Sequence, residues 1–340
     1  MKKSFLTVFA VAMTLATIAT ASAGTIPQTL VEGGGGNQFS GDGNSTWLTW
    51  ATNTAEHPRQ YNARARLLAG GGGLRMNAGG TDGFAGDING DTTEAVYQQT
   101  DGPDSDIWLY DLETESRSYP ETVNGTAWEW QPSISDGYIL FGRNKFARAS
   151  SPWKIMLYDR NTDTLRVLDT VTNSCRCIFP GQVSDEYATW TRCDRATCQA
   201  WYYDIAGEST ARIPNPLDKQ QYFPSVSAAT GDLYFIRSGN GCGQNVKLAR
   251  WNPVGGGDAV IVSQQPAGYD VYSGPNVFDD TGGHQDVYVD RQVCAGKYYA
   301  DIYVVNDADT SEAADRGPAA RAPRSGTGKR IAVPGATPEI

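Results

Sequence analysis

The chain has 340 residues and a net charge of −10, with 38 glycines, 17 prolines, 19% charged and 40% apolar residues. This composition is typical of a globular protein with a large core and many turns. The acidic surface repels phosphate backbones and anionic lipid, so neither nucleic acid nor a membrane surface is an expected partner.

The first residues have the pattern of a signal peptide. Lys2 and Lys3 precede an apolar stretch from Phe5 to Ile18, and Ala21-Ser22-Ala23 forms an A-x-A cleavage site. The alternative is a membrane anchor, but the apolar run is short for a bilayer span. We therefore predict a signal peptide over residues 1–23, no membrane insertion, and a periplasmic or extracellular location.

A repeated unit follows, in six copies spaced about 43 to 51 residues apart. Each copy starts near a Pro or Gly, passes through a β-branched residue and a Ser or Asn to an Asp/Gly turn, and continues through a strand, a loop and a second strand. In chain order the two halves of each copy are 38–50 and 61–76, 84–97 and 106–119, 131–141 and 154–168, 180–190 and 199–213, 223–235 and 246–262, and 274–289 and 300–307.

Each copy predicts four short antiparallel strands, because Val, Ile, Tyr and Trp are enriched between turn signals. A unit of this size cannot bury both of its faces alone, and radial repetition buries each face against a neighbour. The pattern therefore predicts an all-β, six-bladed β-propeller over residues 24–306. A linear solenoid is the alternative.

The ring needs a strand that joins its first and last blades. Thr25 to Val31 precedes the first copy, and the sixth copy lacks a clear fourth strand after Asn306. We therefore predict that the N-terminal segment completes the last blade, with Lys329 to Val333 as the competing candidate. Residues 307–340 otherwise form a flexible tail, rich in Ala, Arg, Pro, Gly and Ser.

The copies QPSISDG and KIMLYDRNT resemble the propeller repeats of the TolB family, over about residues 25–306. The Pro that precedes Asp-Gly in that family is missing from every copy, and there is no room for TolB's small N-terminal domain. The resemblance implies a six-bladed propeller and an exported location. It supplies no catalytic residues.

All six cysteines fall in loops that the blade plan places on one face, which we call the stapled face. An even number in an exported chain favours disulfides over zinc, since no His lies near them. Cys193–Cys198 is the obvious local bridge, and Cys242–Cys294 would join neighbouring blades. Cys175 and Cys177 remain, and re-pairing of Cys177 with Cys193 stays open.

Aromatic residues near the starts of the inner strands are candidate ligand platforms for a sugar or a peptide. The candidates are Phe84, Trp128, Trp130, Tyr222 and Tyr272, and Phe179, Phe223 and Tyr269 belong to the same set. Packing between blades is the alternative, and we favour it for Phe179 and Phe223.

Catalytic and metal-binding signals are sparse. The only histidines after the signal peptide, His57 and His284, are predicted on opposite faces, and no G-x-S-x-G motif occurs. Asp87, Asn89 and Asp91 have calcium-like spacing, as do Asp279, Asp280 and Asp286. Both sets also fall where the repeat requires a turn, so no cofactor is expected.

These features favour an exported, monomeric, non-catalytic binding or scaffold propeller that recognises a protein or a carbohydrate on the stapled face. The alternative is a polysaccharide-active enzyme, either a lyase or a glycoside hydrolase, with its site at the channel mouth. The enzyme would need a cluster of carboxylates or arginines at that mouth.

Overall fold

The polypeptide forms strands and turns throughout the described part of the chain. The computed structural model describes residues 26, 28–33, 36–54, 60–145, 152–172, 176–194, 197–217, 219–239, 242–271, 273–280, 283–294 and 300–307. Among these residues, no helix is long and apolar enough to cross a membrane. The predicted signal peptide, the competing strand at 329–333, His57, Cys175 and Tyr272 lie outside the described residues.

The first three copies of the repeat each form a blade of four strands. Blade 1 contains β2 (Gly36–Gly43), β3 (Trp47–Thr54), β4 (Asn62–Leu67) and β5 (Leu74–Arg75). Blade 2 contains β6 (Asp82–Ile88), β7 (Glu94–Asp101), β8 (Asp104–Asp111) and β9 (Ser116–Ser118). Blade 3 contains β10 (Trp128–Ile134), β11 (Tyr138–Asn144), β12 (Trp153–Asp159) and β13 (Thr164–Val171).

The last three copies complete the ring. Blade 4 contains β14 (Arg176–Val183), β15 (Tyr187–Asp194), β16 (Thr197–Asp204) and β17 (Ser209–Arg212). Blade 5 contains β18 (Gln220–Val226), β19 (Leu233–Ser238), β20 (Lys247–Trp251) and β21 (Val260–Gln264). Blade 6 contains β22 (Tyr269–Asp270), β23 (Asn276–Asp279), β24 (Gln285–Val293), β25 (Ala300–Asp307) and β1 (Thr29–Glu32).

Closure of the ring depends on β1, which pairs antiparallel with β25, so that Thr29 lies opposite Val304. The inner strands of successive blades contact one another, and β23 of blade 6 contacts β2 of blade 1. The predicted six-bladed propeller, closed by an N-terminal strand, is therefore confirmed. Blades 2 and 3 also share one parallel bridge, between Ser105 and Trp128.

A bulge at the same place in five of the inner strands explains the glycines of the repeat. The register shifts there in β2, β6, β10, β14 and β18. At Gly86 a β-carbon would overlap the carbonyl oxygen of Pro132, and at Gly181 it would overlap that of Pro224. Neighbouring inner strands therefore approach at these points too closely for any side chain.

The core lies between the blades. Fully buried Trp190 of blade 4 packs in one cluster with Leu140 and Ile155 of blade 3. Similar clusters join the other blades, which is why the positions of every copy that face a neighbouring blade are apolar. This packing fixes the inner strands, and hence the polar side chains that they present to the central channel.

Candidate functional site

Six polar side chains occupy one equivalent position, directly after the Gly or Pro in each copy. They are Asp42, Asp87, Ser133, Gln182, Ser225 and Asn276. All but Asn276 are buried, at exposures of 0–6%. Because the inner strands converge on the propeller axis, residues almost 50 positions apart in sequence become neighbours at the centre of the ring.

Gln182 of blade 4 crosses the channel to two other blades. Its side-chain oxygen accepts a hydrogen bond from the Val277 amide at 2.9 Å, and its nitrogen donates to the Val277 carbonyl at 3.0 Å and to Asp87 Oδ1 at 3.3 Å. Ser133 donates to Asp87 Oδ2. We call Asp42, Asp87, Ser133 and Gln182 the polar plug, since their hydrogen bonds span the channel.

Asp42 and Asp87 form a hydrogen-bonded pair of carboxyls within the plug. Burial and the neighbouring charge of Asp87 hold the pKa of Asp42 well above its usual range. Burial also raises the pKa of Asp87, but hydrogen bonds from Ser133, Ile134 and Gln182 favour its ionised form. We therefore assign the shared proton to Asp42. Its Oδ2 atom accepts a hydrogen bond from the Ile88 amide at 2.8 Å.

A pocket of about 410 Å³ opens from the plug at the end of the channel that carries the turns after the inner strands. We call it the mouth pocket. Six carboxyl groups line it, of which Asp42 carries the shared proton: Asp42, Asp91, Asp136, Asp185, Glu186 and Asp279. No Lys, Arg or His of the described residues lines it, and none of the six belongs to an ion pair within the described ranges. The pocket therefore presents an uncompensated negative potential.

The carboxylates of the mouth pocket are held in place by neutral donors. Asp185 accepts a hydrogen bond from the Gly137 amide at 3.0 Å, and Asp136 accepts one from the side-chain amide of Asn89 at 3.1 Å. These contacts join the turns of adjacent blades. They leave the negative charges intact while fixing their positions.

On the other side of the plug, toward the stapled face, the channel narrows to a pocket of about 50 Å³. Phe223, Pro132 and Pro275 are among its lining residues. Ser40, Gln131 and Phe223 have positive φ values of 50°, 47° and 52° there, which is uncommon for residues other than glycine. The strained bulges therefore narrow the channel on this side.

The candidate aromatic platforms pack against neighbouring side chains. Phe84 lies 4.7 Å from Tyr61, and Trp130, which is 9% exposed, lies 5.3 Å from Trp153, measured between ring centroids. The Tyr222 hydroxyl is hydrogen-bonded to that of Ser238. Trp128, Phe84 and Tyr222 are half-buried. Ligand binding by these residues stays a prediction.

Two of the three aromatics outside the candidate list pack in the same way. Phe179 lies 6.1 Å from Trp130, and Phe223 lies 5.6 Å from Tyr222. Both contacts agree with the packing role favoured for these two residues. The guanidinium of Arg291 lies over the ring of Tyr269, 5.8 Å from the centroid of that ring.

The cysteines form two disulfides with the expected partners. Cys193–Cys198 closes the β15–β16 hairpin of blade 4, and we call it the hairpin disulfide. Cys242–Cys294 joins blade 5 to blade 6, and we call it the interblade disulfide. The prediction that all six cysteines lie in loops is wrong for Cys177, Cys193 and Cys198, because the strands of blade 4 extend to residues 176, 194 and 197. Cys177 is a free thiol opposite Cys193.

The calcium candidates are engaged by different partners. Asp87 belongs to the plug, Asn89 donates to Glu94 and Asp136, and Asp91 accepts a hydrogen bond from the Ser45 hydroxyl. In the second set Asp279 accepts from Ser227, Asp280 from the His284 amide, and Asp286 from Asn306. These partners are those of turns and blade contacts, as the repeat requires.

Sequence reasoning missed the plug and the mouth pocket. It treated the acidic residues after each inner strand as turn formers, which they also are. A signal was present: the residue after the Gly or Pro is polar in every copy, although the flanking positions are mostly apolar. An alignment of the six copies on that Gly or Pro would have identified the six channel positions.

Comparisons with known proteins agree on the fold. No family model matches the chain, and no curated protein matches it. TolB from Acinetobacter baumannii superposes with a TM-score of 0.52 at 14% identity; the match covers 77% of this chain and 65% of that protein. A structure assigned as TolB from Agrobacterium tumefaciens gives 0.51 at 12% identity, covering 79% and 90% of the two chains.

An oligogalacturonate lyase from Vibrio parahaemolyticus gives a TM-score of 0.51 at 10% identity, covering 82% of this chain and 91% of the lyase. The TolB-like propeller predicted from the repeats is thereby confirmed as a fold. At these identities the likeness extends no further, since one propeller scaffold serves both binding proteins and enzymes.

Proposed function

We propose that this protein is an exported, non-catalytic binding propeller that receives a positively charged segment of a partner protein in its mouth pocket. The observation that carries the proposal is the set of six carboxyl groups, five of them ionised, which five of the six blades contribute around a pocket of about 410 Å³. An extended segment with Lys or Arg side chains supplies the missing countercharge.

The proposal differs from the sequence-based expectation in the face that binds. The stapled face carries the narrow end of the channel, whereas the mouth pocket opens on the opposite face. Two features support export: the signal-peptide pattern at residues 1–23, and the two disulfides, which persist in oxidising compartments.

The plug supports binding at the mouth rather than passage through the ring. Gln182 and the Asp42–Asp87 pair connect blades 1, 2, 4 and 6 across the axis. A segment that enters the mouth therefore ends against the plug.

A peptide-binding measurement tests the proposal. We expect the oxidised protein to bind a fluorescein-labelled (Lys-Ser)4 peptide, with an affinity that falls as the salt concentration increases. It should not bind a (Glu-Ser)4 peptide. The triple variant Asp136→Asn, Asp185→Asn, Glu186→Gln should weaken binding at least about 10-fold, or about 1.4 kcal/mol.

The matched control removes three charges from the outer turns of blade 2. Glu113, Glu115 and Glu121 are exposed, and their replacement by Gln changes the net charge by the same amount. If both triple variants weaken peptide binding equally, the effect is one of net charge, and the assignment of the mouth pocket as the binding site is overturned. Absence of peptide binding at low salt would overturn it as well.

The enzyme alternative retains one supporting observation, a cluster of carboxyl groups at one end of the channel, although that end is opposite to the stapled face. Asp42 and Asp87, however, are hydrogen-bonded to each other, whereas glycosidase carboxyls stand about 5–9.5 Å apart with substrate or water between them. We therefore expect no reducing-end release from neutral or uronate polysaccharides. Turnover abolished by Asp42→Asn would support the enzyme in place of the binding protein.

A further inference from the structure

A second recess lies on the stapled side of blade 4, away from the mouth pocket. Its volume is about 360 Å³, and we call it the blade-4 groove. It is lined by Arg192, Asp194, Thr197, Gln199, Trp201, Arg212 and Asn215. Strand register pairs Arg192 with Gln199, Asp194 with Thr197, and Trp201 with Arg212. The lining side chains of β15, β16 and β17 therefore share one face of the blade.

Trp201 forms an ordered aromatic surface in this groove. Its ring stacks on the ring of Trp190, with centroids 6.4 Å apart and planes at 17°. Trp190 is fully buried, and its indole nitrogen donates to Asp169 Oδ2 at 3.0 Å. Trp201 itself is half-buried, so part of its ring remains open to the groove. The indole is thus held in place before any ligand arrives.

Arg192 is also oriented by the Asp169 carboxylate. Its Nη1 donates to Asp169 Oδ1 at 2.7 Å, and its guanidinium lies 6.0 Å from the Trp201 ring centroid. Asp169 therefore fixes Trp190 with one oxygen and Arg192 with the other. The guanidinium has five N–H donors, so most of them stay available to the groove.

Arg212 and Gln199 carry the polar groups without partners. Arg212 is exposed, and neither side chain makes a hydrogen bond or ion pair within the described ranges. A free guanidinium opposite an ordered indole, with an amide two positions along the same strand as the indole, matches one class of ligand. The carbon face of a pyranose ring stacks on the indole, its hydroxyls bond the amide, and a ring carboxylate takes the guanidinium.

The hairpin disulfide supports the groove from behind. Cys193 and Cys198 alternate with the lining residues of β15 and β16, so their bond lies on the opposite face of the same hairpin. It links the strands between the Arg192–Gln199 and Asp194–Thr197 pairs. Rigidity of this kind reduces the entropy lost when a ligand binds.

We propose that the blade-4 groove binds a uronic acid residue of an acidic glycan, with Trp201 under the sugar ring and Arg212 on its carboxylate. This site is independent of the mouth pocket and takes a ligand of opposite charge. The protein thereby has two binding surfaces, one for a basic protein segment and one for an acidic polysaccharide.

An oligosaccharide array tests the proposal with the oxidised protein. The array displays oligomers of glucuronic, galacturonic, mannuronic and guluronic acid beside neutral glucan, galactan and mannan oligomers. We expect capture of at least one uronate series in preference to its neutral counterpart. Arg212→Gln should weaken that capture about 10-fold and remove the preference, because the carboxylate loses its partner.

Two further variants keep the result interpretable. Trp201→Ala should abolish capture of both uronate and neutral sugars, and thermal melting verifies that it folds. Arg166→Gln is the control, since Arg166 is also an exposed arginine but lies outside the groove; capture should not change.

Capture of no saccharide, or capture unaffected by Arg212→Gln and by a folded Trp201→Ala, would overturn the proposal. Equal capture of uronate and neutral sugars would overturn the carboxylate assignment. The triple variant of the mouth pocket should retain glycan capture, and Arg212→Gln should retain peptide binding, so failure at one site is distinguishable from failure at the other.

Discussion

The Asp42–Asp87 pair predicts an unusual dependence of stability on pH. Burial and the neighbouring Asp87 raise the pKa of Asp42 in the folded state above its unfolded value of about 3.9. The folded protein therefore binds this proton more tightly than the unfolded chain. The associated stability is fully present below the unfolded pKa and is lost as pH rises through the folded pKa.

Replacement of Asp42 by Asn removes the proton and keeps the geometry. The amide oxygen can accept from the Ile88 N–H, as Asp42 Oδ2 does at 2.8 Å, and the amide nitrogen can donate to Asp87. The free energy of unfolding of Asp42→Asn, relative to wild type, should rise with pH above 4. The gain is about 1.4 kcal/mol for each unit by which the folded pKa exceeds the ordinary value.

Urea unfolding from pH 3 to pH 8, followed by tryptophan fluorescence, measures this difference. Asp111→Asn is the control with the opposite sign, because hydrogen bonds from the Thr114 turn lower the pKa of Asp111. Its stability relative to wild type should fall as pH rises through the acidic range. A constant difference between wild type and Asp42→Asn across the series would refute the shared proton.

Three further predictions concern the ring. Gln182→Ala leaves buried polar groups unpaired and should lower the free energy of unfolding by roughly 3 kcal/mol. Gln199→Ala, which breaks no hydrogen bond, should change it little, and urea titration compares the two variants. Gly181→Ala should lower stability by about 3 kcal/mol through overlap with the neighbouring blade, and Gly72→Ala, with open space around it, should not. Cys-to-Ser replacement of the interblade disulfide, with a sequence separation of 52, should cost about 4 kcal/mol, against about 2 kcal/mol for the hairpin disulfide, with a separation of 5; calorimetry under oxidising conditions tests the order.

The propeller could be predicted because its determinants are local and repeated. Each Asp/Gly turn and each Gly or Pro of the repeat fixes a conformation within a few residues, and six copies make the pattern visible. The pairing of Cys193 with Cys198 is local in the same way. Closure by residues 29–32 was predictable for another reason, because the sixth copy lacks a strand that a complete blade needs.

The channel could not be predicted in the same way, because its contacts cross the ring. The hydrogen bond between Gln182 and Asp87 joins residues 95 positions apart. The other partner of Gln182, Val277, lies 95 positions further along the chain. Only the radial arrangement of blades brings them together. The same arrangement buries Trp130, which the sequence presents as a platform, between Trp153 and Phe179.

The pairing of β1 with β25 also has a consequence for how the molecule is made. Thr29 is among the first residues of the propeller to emerge during synthesis, yet its partner Val304 follows 275 positions later. Blades 1 to 5 are each contiguous in sequence and can form in turn as the chain appears. Blade 6 cannot, so the ring stays open, with an unpaired edge, until nearly the whole propeller has been synthesised. Protection of that edge during synthesis is thus a requirement that the topology imposes on the cell.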